Sequence, residues 1–177
     1  MADTGQGVIV GVADMATASA AQGRLITYAL GSCIGLTAWD PTQRIGGMLH
    51  FMLPQPGEGA DPKDLKVNMY ATTGIPMMFR RLLELGCRRE RLVVCAAGGA
   101  EVIHDSGVFA IGKRNRTILR KIFWKDGTAI AAEDSGGNQA RTMSLCLQTG
   151  EVRVKTRDGE AVLWASGMAP KPQGVKT

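Results

Sequence analysis

The sequence predicts an α+β fold. Four strand-like segments precede the first long helical stretch, a single strand separates that stretch from a second helix, and three further strands follow. Strict alternation of strand and helix, which a doubly wound parallel sheet requires, is absent.

Val8 to Val12 is a short apolar run and reads as the first strand. Arg24 to Leu30 follows, with the β-branched and aromatic residues that suit a pleated surface. Gly31-Ser32 punctuates the chain, Cys33 to Trp39 resumes as a strand, and Asp40-Pro41 turns it. Ile45 to Leu53 is the fourth strand, and the Pro- and Gly-rich stretch from Pro54 to Pro62 is a loop.

A helix is expected from Asp64 to Leu85, because Val67, Ala71, Ile75, Met78, Leu82 and Leu85 recur at helical spacing. Pro76 should kink or split it, since proline removes one hydrogen bond and crowds the preceding turn. Gly86 supplies a left-handed cap. Leu92 to Ala97 is a buried-type strand ending at Gly98-Gly99-Ala100, and Glu101 to Phe109 reads as loop. Lys113 to Lys125 is the second helix, with Ile118, Leu119 and Ile122 inward and Gly127 as its stop. Strands follow at Thr128 to Glu133, Met143 to Leu147 and Val152 to Lys155, with turns at Gly136-Gly137-Asn138 and Thr149-Gly150. The expectation is one domain over residues 1–177, with a core of about 7–156. Residues 157–177 form a loosely held tail in which Val162-Leu163-Trp164 could dock.

Composition narrows the function classes. Hydrophobic residues make up 45%, more than a disordered chain carries, and no apolar run is long enough to span a bilayer. The polar start, Met1 to Gly7, lacks the features of a secretory signal. Cys33, Cys87, Cys95 and Cys146 fit no zinc spacing, and a chain of this size does not need disulfide staples, so free thiols in a cytoplasmic setting are expected. Only His50 and His104 are available as imidazole ligands, which excludes a His-rich metal site. The net charge of +5 suggests an acidic partner. Aromatics at 5% and the absence of any RNA or DNA motif argue against specific nucleic-acid binding. Gly98-Gly99 has no Walker lysine and no complete dinucleotide motif, so a phosphate cradle is not supported.

The segment expected to carry chemistry is Tyr28-Ala29-Leu30-Gly31-Ser32-Cys33-Ile34-Gly35. A thiol at a break between strands is exposed, its small neighbours admit a substrate, and the turn aims backbone N–H groups near Ser32-Cys33 at one spot, as an oxyanion hole needs. His50 lies seventeen residues later on the next strand, where it can stand beside Cys33 as a thiol–imidazole pair. His104-Asp105 is the competing base, although a solvated loop histidine is the plainer reading. Cys87, Cys95 and Cys146 read as small core residues. G-x-C-x-G also spells a nucleophile elbow, but that motif needs a following helix and a late histidine, and the chain offers neither. The basic clusters at Arg80-Arg81, Arg88-Arg89-Arg91 and Lys113-Arg114-Arg116-Arg120-Lys121 are solvated helix faces or a docking surface for acidic helices.

Thr27, Leu30-Gly31-Ser32-Cys33 and His50-Phe51-Met52-Leu53-Pro54, in this order and spacing, resemble the CheD family of chemoreceptor glutamine deamidases. Gly98-Gly99-Ala100, Ile111-Gly112 with Arg114-Asn115, Glu133-Asp134 with Gly136-Gly137, and Thr149-Gly150-Glu151-Val152 extend the resemblance over roughly residues 7 to 156. The resemblance implies a sandwich of mixed or antiparallel sheets flanked by two or three helices. It implies Cys33 as nucleophile, His50 as general base and Thr27 as the group that orients the histidine. Ser32, Gly98 and Gly99 would then line the substrate and oxyanion site. The implied activity is hydrolysis of glutamine side chains on the cytoplasmic helices of methyl-accepting chemotaxis receptors, with a CheC-type phosphatase as a further partner. A thiol mechanism of this kind needs no metal or organic cofactor. A threonine hydroxyl supplies no charge to the imidazole, so a slow enzyme is expected. The alternative is a non-catalytic adaptor that binds and regulates such a phosphatase.

Overall fold

The computed structural model describes residues 7–101 and 110–169. In chain order its strands are β1 (Val8–Ile9), β2 (Asp14–Ser19), β3 (Arg24–Leu30), β4 (Ile34–Asp40) and β5 (Ile45–Phe51), then β6 (Val93–Gly98) between helices α1 (Ala71–Glu84) and α2 (Ile111–Asp126). β7 (Ile130–Ser135), β8 (Arg141–Cys146), β9 (Val152–Thr156) and β10 (Gly159–Trp164) follow α2. They form two five-stranded sheets, in the orders β1-β3-β8-β9-β10 and β2-β5-β4-β6-β7. Both are mixed, because β1 runs parallel to β3 and β6 parallel to β7. The α+β class is the one the order of elements predicts, and the sandwich of mixed sheets is the one the family resemblance implies.

Three layers follow from which faces are apolar. The inner faces of the two sheets meet in one cluster, in which Leu25, Leu30, Met143 and Leu145 of the first sheet pack against Trp39, Met48, Cys95 and Ala97 of the second. The other face of the second sheet carries Ile34, Leu36, Leu49 and Phe51 under Met78 and Leu82 of α1 and Leu119 and Phe123 of α2. The central strand β4 is therefore covered on both faces, and all seven of its residues are buried.

Several expectations are corrected. β2 was not anticipated: its small and polar residues, Asp14-Met15-Ala16-Thr17-Ala18-Ser19, carry little apolar signal, and its place is set by pairing with β5 along its length. The first strand is only Val8–Ile9, and Val12 is exposed. The first helix begins at Ala71, because Tyr70 is extended (φ −118, ψ 142) and only a single 3-10 turn, Val67–Met69, precedes it. Pro76 does not split α1. It is the sixth helical residue, so its ring crowds Thr72 in the first turn, where the backbone can adjust. Gly86, at φ +89, caps α1 as expected: its N–H donates to Leu83 C=O, while Cys87 N–H donates to Leu82 C=O. The stretch after Arg157 is not loosely held as far as Trp164, since β10 pairs with β9 and Leu163 is buried. Trp164 also stands 6.4 Å from Trp39, centroid to centroid.

Candidate active site

The site is built where β3 ends. Between Thr27 and Leu30 the register against β8 slips, because three steps along β3 match two along β8, from Met143 to Arg141. Ala29 takes up the extra residue at φ +57, a conformation that costs a β-carbon strain and persists where the surroundings impose it. The bulge turns the chain into Gly31-Ser32-Cys33, which leads directly into β4.

Thr27 and His50 belong to different sheets and meet between them. Both are fully buried, with Thr27 Oγ1 2.8 Å from His50 Nδ1. The same hydroxyl donates to Val10 C=O at 2.7 Å. A hydroxyl has one proton, so with that proton on Val10 it can only accept from the imidazole. Nδ1 therefore carries the ring hydrogen and Nε2 carries the lone pair. Nε2 is buried and has no hydrogen-bond partner among the described residues. Gly35 makes the approach possible, since it sits opposite His50 in the β4–β5 ladder. A β-carbon there would lie 2.9 Å from Leu30 Cδ1 and 3.3 Å from Thr27 Cγ2.

The Cys33 loop is held by its carbonyls. Gly31 C=O accepts from Ala100 N–H at 2.8 Å and Cys33 C=O accepts from Gly99 N–H at 2.8 Å. Between them, Ser32 C=O accepts from Asn115 Nδ2 at 2.9 Å. Gly98, at φ +114, must be glycine, because a β-carbon there would lie 2.2 Å from the Cys33 carbonyl oxygen. In a trans peptide the C=O and the following N–H point opposite ways. The N–H groups of Ser32 and Cys33 are thus directed away from the Gly99–Ala100 loop and α2.

This geometry changes the part given to Gly98 and Gly99. The Gly99 N–H is committed to Cys33 and is not free for a substrate oxyanion, so the pair braces the loop from behind. Thr27 and His50 are brought together. Cys33 is half-buried, packs against the cluster between the sheets, and lies two residues before Gly35. His104-Asp105 lies outside the described residues. Among the described residues, no group of three or more His, Cys, Asp or Glu side chains is placed to hold a metal ion.

Burial governs the electrostatics. It pushes the Cys33 thiol above its ordinary 9.0, partly offset by the residue's own backbone N–H. It also pulls His50 below 6.5. Both directions favour an uncharged thiol and an uncharged imidazole in the free protein. Cys95, between the sheets, is pushed up to about 12 by burial and is a core residue, as Cys87 is. Cys146 differs from expectation, being only half-buried.

Asn115 was not singled out for a role in the site. Its fully buried side chain donates to Ser32 C=O at 2.9 Å and to Met52 C=O at 2.8 Å, linking the cysteine loop to the chain just after His50. The signal was present: an amide shares the inward face of α2 with Gly112, Leu119 and Phe123, where an apolar residue would be expected.

Fold and site together define an α+β sandwich protein in which a thiol-bearing loop adjoins an imidazole held by a hydroxyl. A family model described as CheD chemotactic sensory transduction matches residues 52–156, more than half of the chain. The chain belongs to the CheD family. It is 47% identical over 147 residues to a probable chemoreceptor glutamine deamidase CheD of Solibacter usitatus, covering 82% of this chain and 86% of that one. It is 43% identical over 156 residues to the probable chemoreceptor glutamine deamidase CheD 2 of Anaeromyxobacter dehalogenans, covering 88% and 98%. A comparable relative from Syntrophus aciditrophicus is 40% identical over 152 residues, covering 86% and 95%. No helix among the described residues is long and apolar enough to cross a membrane.

Proposed function

We propose that this protein hydrolyses glutamine side chains of chemoreceptors to glutamate, acting in the cytoplasm and so tuning chemotactic adaptation. The names of its relatives support the reaction and the substrate. The observation that carries the mechanism is the Thr27–His50 contact, which fixes the imidazole with Nε2 as its basic nitrogen. Cys33 packs against the cluster between the sheets, and two residues on Gly35 pairs with His50, which supports the thiol as the partner of that imidazole.

His50 Nε2 takes the Cys33 proton as sulfur attacks the side-chain carbonyl carbon. The N–H groups of Ser32 and Cys33 receive the developing oxyanion. The imidazolium returns its proton to the amide nitrogen, ammonia leaves, and a thioester remains. Nε2 then takes a proton from water, whose oxygen attacks the thioester, and glutamate and the free thiol are released. Thr27 holds the ring but adds no negative charge, which suits a slow turnover.

Mass spectrometry of a chemoreceptor cytoplasmic fragment incubated with the protein tests this. The expected result is an amide-to-acid mass gain at particular glutamines, absent with Cys33→Ala and with His50→Ala. No gain with a reduced thiol and a folded receptor would overturn it and leave the adaptor for a CheC-type phosphatase as the reading to pursue.

A further inference from the structure

Helix α2 is electrostatically unlike the rest of the molecule. It carries six basic side chains against the single acid Asp126, a net charge of +5. The whole chain is also +5, so everything outside this one helix balances to zero. The charge is unevenly placed on the helix. Arg116 pairs with Glu101 and Arg120 with Glu133. Lys113, Arg114, Lys121 and Lys125 are exposed and have no ion-pair partner among the described residues.

The free cations share the solvent face of α2 with Trp124, which is 84% exposed. Beside Trp124 lies a groove of about 660 Å³, lined by Lys121, Phe123 and residues 127–130. At the other end, the first turns of α2 abut the catalytic loop: Asn115 binds Ser32, and Gly112 lies against Ala100. Lys113 and Trp124 are eleven residues apart, or about 16 Å along the helix axis.

We propose that the outer face of α2 is the surface that captures the protein substrate, and that the substrate presents an acidic helix to it. The acidic face lies along Lys113, Arg114, Lys121 and Lys125. An apolar side chain enters the groove beside Trp124. The face anchors the substrate beside the Cys33 loop, and the target glutamine enters from that loop's other side, where the Ser32 and Cys33 N–H groups are directed. The inference rests on the deamidase reading and extends it from the reaction to the choice of target. Charge complementarity identifies the occupant, and the groove gives the contact a fixed register. An anionic lipid surface fits less well, because the apolar face of α2 is spent inward on Leu119 and Phe123 and only one aromatic remains to insert.

The test uses the full chain and a chemoreceptor cytoplasmic fragment. Lys121→Glu with Lys125→Glu, and Trp124→Ala separately, are compared with the wild type and with a charge-matched control on the other side of the molecule, Lys155→Glu with Arg157→Glu. Deamidation rates are measured against substrate concentration and salt. The α2 charge reversal is expected to raise KM about tenfold at low salt, to flatten the salt dependence, and to leave kcat intact. Trp124→Ala should raise KM without altering the salt dependence. Equal KM for the α2 variants and the wild type, or an equal effect of the control pair, overturns the proposal while leaving the deamidase reading intact. A wild type inactive on the fragment overturns the deamidase reading instead, and this proposal with it. Sedimentation with phosphatidylserine-containing vesicles is the third arm. Vesicle binding lost on α2 reversal, with receptor KM unchanged, assigns the face to a membrane and overturns the proposal.

Discussion

The Thr27 hydroxyl donates to Val10 and accepts from His50, so a single side chain fixes the tautomer of the imidazole while contributing no charge. Removing the hydroxyl frees the ring and strands two buried polar groups. Thr27→Val is expected to lower kcat by about one to two orders of magnitude, within the range of general-base effects. It should also destabilise the fold by about 1–3 kcal/mol through the orphaned Val10 carbonyl and Nδ1–H. Thr27→Ser should retain most of both. Nitrogen–proton correlation spectra should show the hydrogen on Nδ1 in the wild type and a tautomer mixture in Thr27→Val. A wild type protonated on Nε2 would sink the assignment.

On the proposed mechanism, the pH profile follows from burial of Cys33 and His50. His50 must be neutral to accept a proton, and its value lies below 6.5, so kcat/KM should hold through pH 6.5 and fall only on further acidification. Cys33 lies above 9.0, so iodoacetamide should label it with an inflection on the alkaline side of that value. An inflection near neutrality would instead mean a preformed thiolate–imidazolium pair.

Asn115 is a positioning residue for both halves of the site. Asn115→Ala removes two donors from buried carbonyls, and it should depress kcat about tenfold or more with little change in KM. Leu119→Ala, one turn away on the same buried face, should cost about 2–5 kcal/mol of stability yet spare kcat of the folded fraction. Steady-state kinetics beside denaturant titrations separates the two. Equal kcat losses in both variants would show that Asn115 matters only for folding.

Asp40 supports the fold at the far end of β4. Its burial would raise its pKa, but the Arg91 guanidinium and the N–H groups of Arg88, Thr42 and Gln43 override that and hold it at about 2. The folded value lies below the ordinary 3.8, so the stabilisation is complete above 3.8 and is lost as pH falls through about 2. Asp40→Asn should cost about 2 kcal/mol at neutral pH, with the gap closing in acid. Urea titrations across that range check this. A gap independent of pH would assign the effect to packing.

Strands with strong apolar character were legible in the chain, and Arg24–Leu30 was placed to the residue. β2 and β10 are not legible as strands, because β2 is small and polar and the apolar residues of β10, Val162-Leu163-Trp164, run together without alternation, so both edge strands are defined by their partners. Thr27, Cys33 and His50 stood out by chemistry and motif. The brace at Gly99 and the clamp at Asn115 did not, because the partner of a backbone carbonyl leaves no trace in residue type. Asn115 could have been flagged as an amide amid apolar helix positions.

Because Thr27 hangs from one sheet and His50 from the other, the site exists only while the two sheets are in register. A partly melted molecule with either sheet intact would hold half of the machinery. Activity should therefore vanish together with the whole cooperative unit rather than fade ahead of it, making turnover a readout of how tightly the layers stay closed.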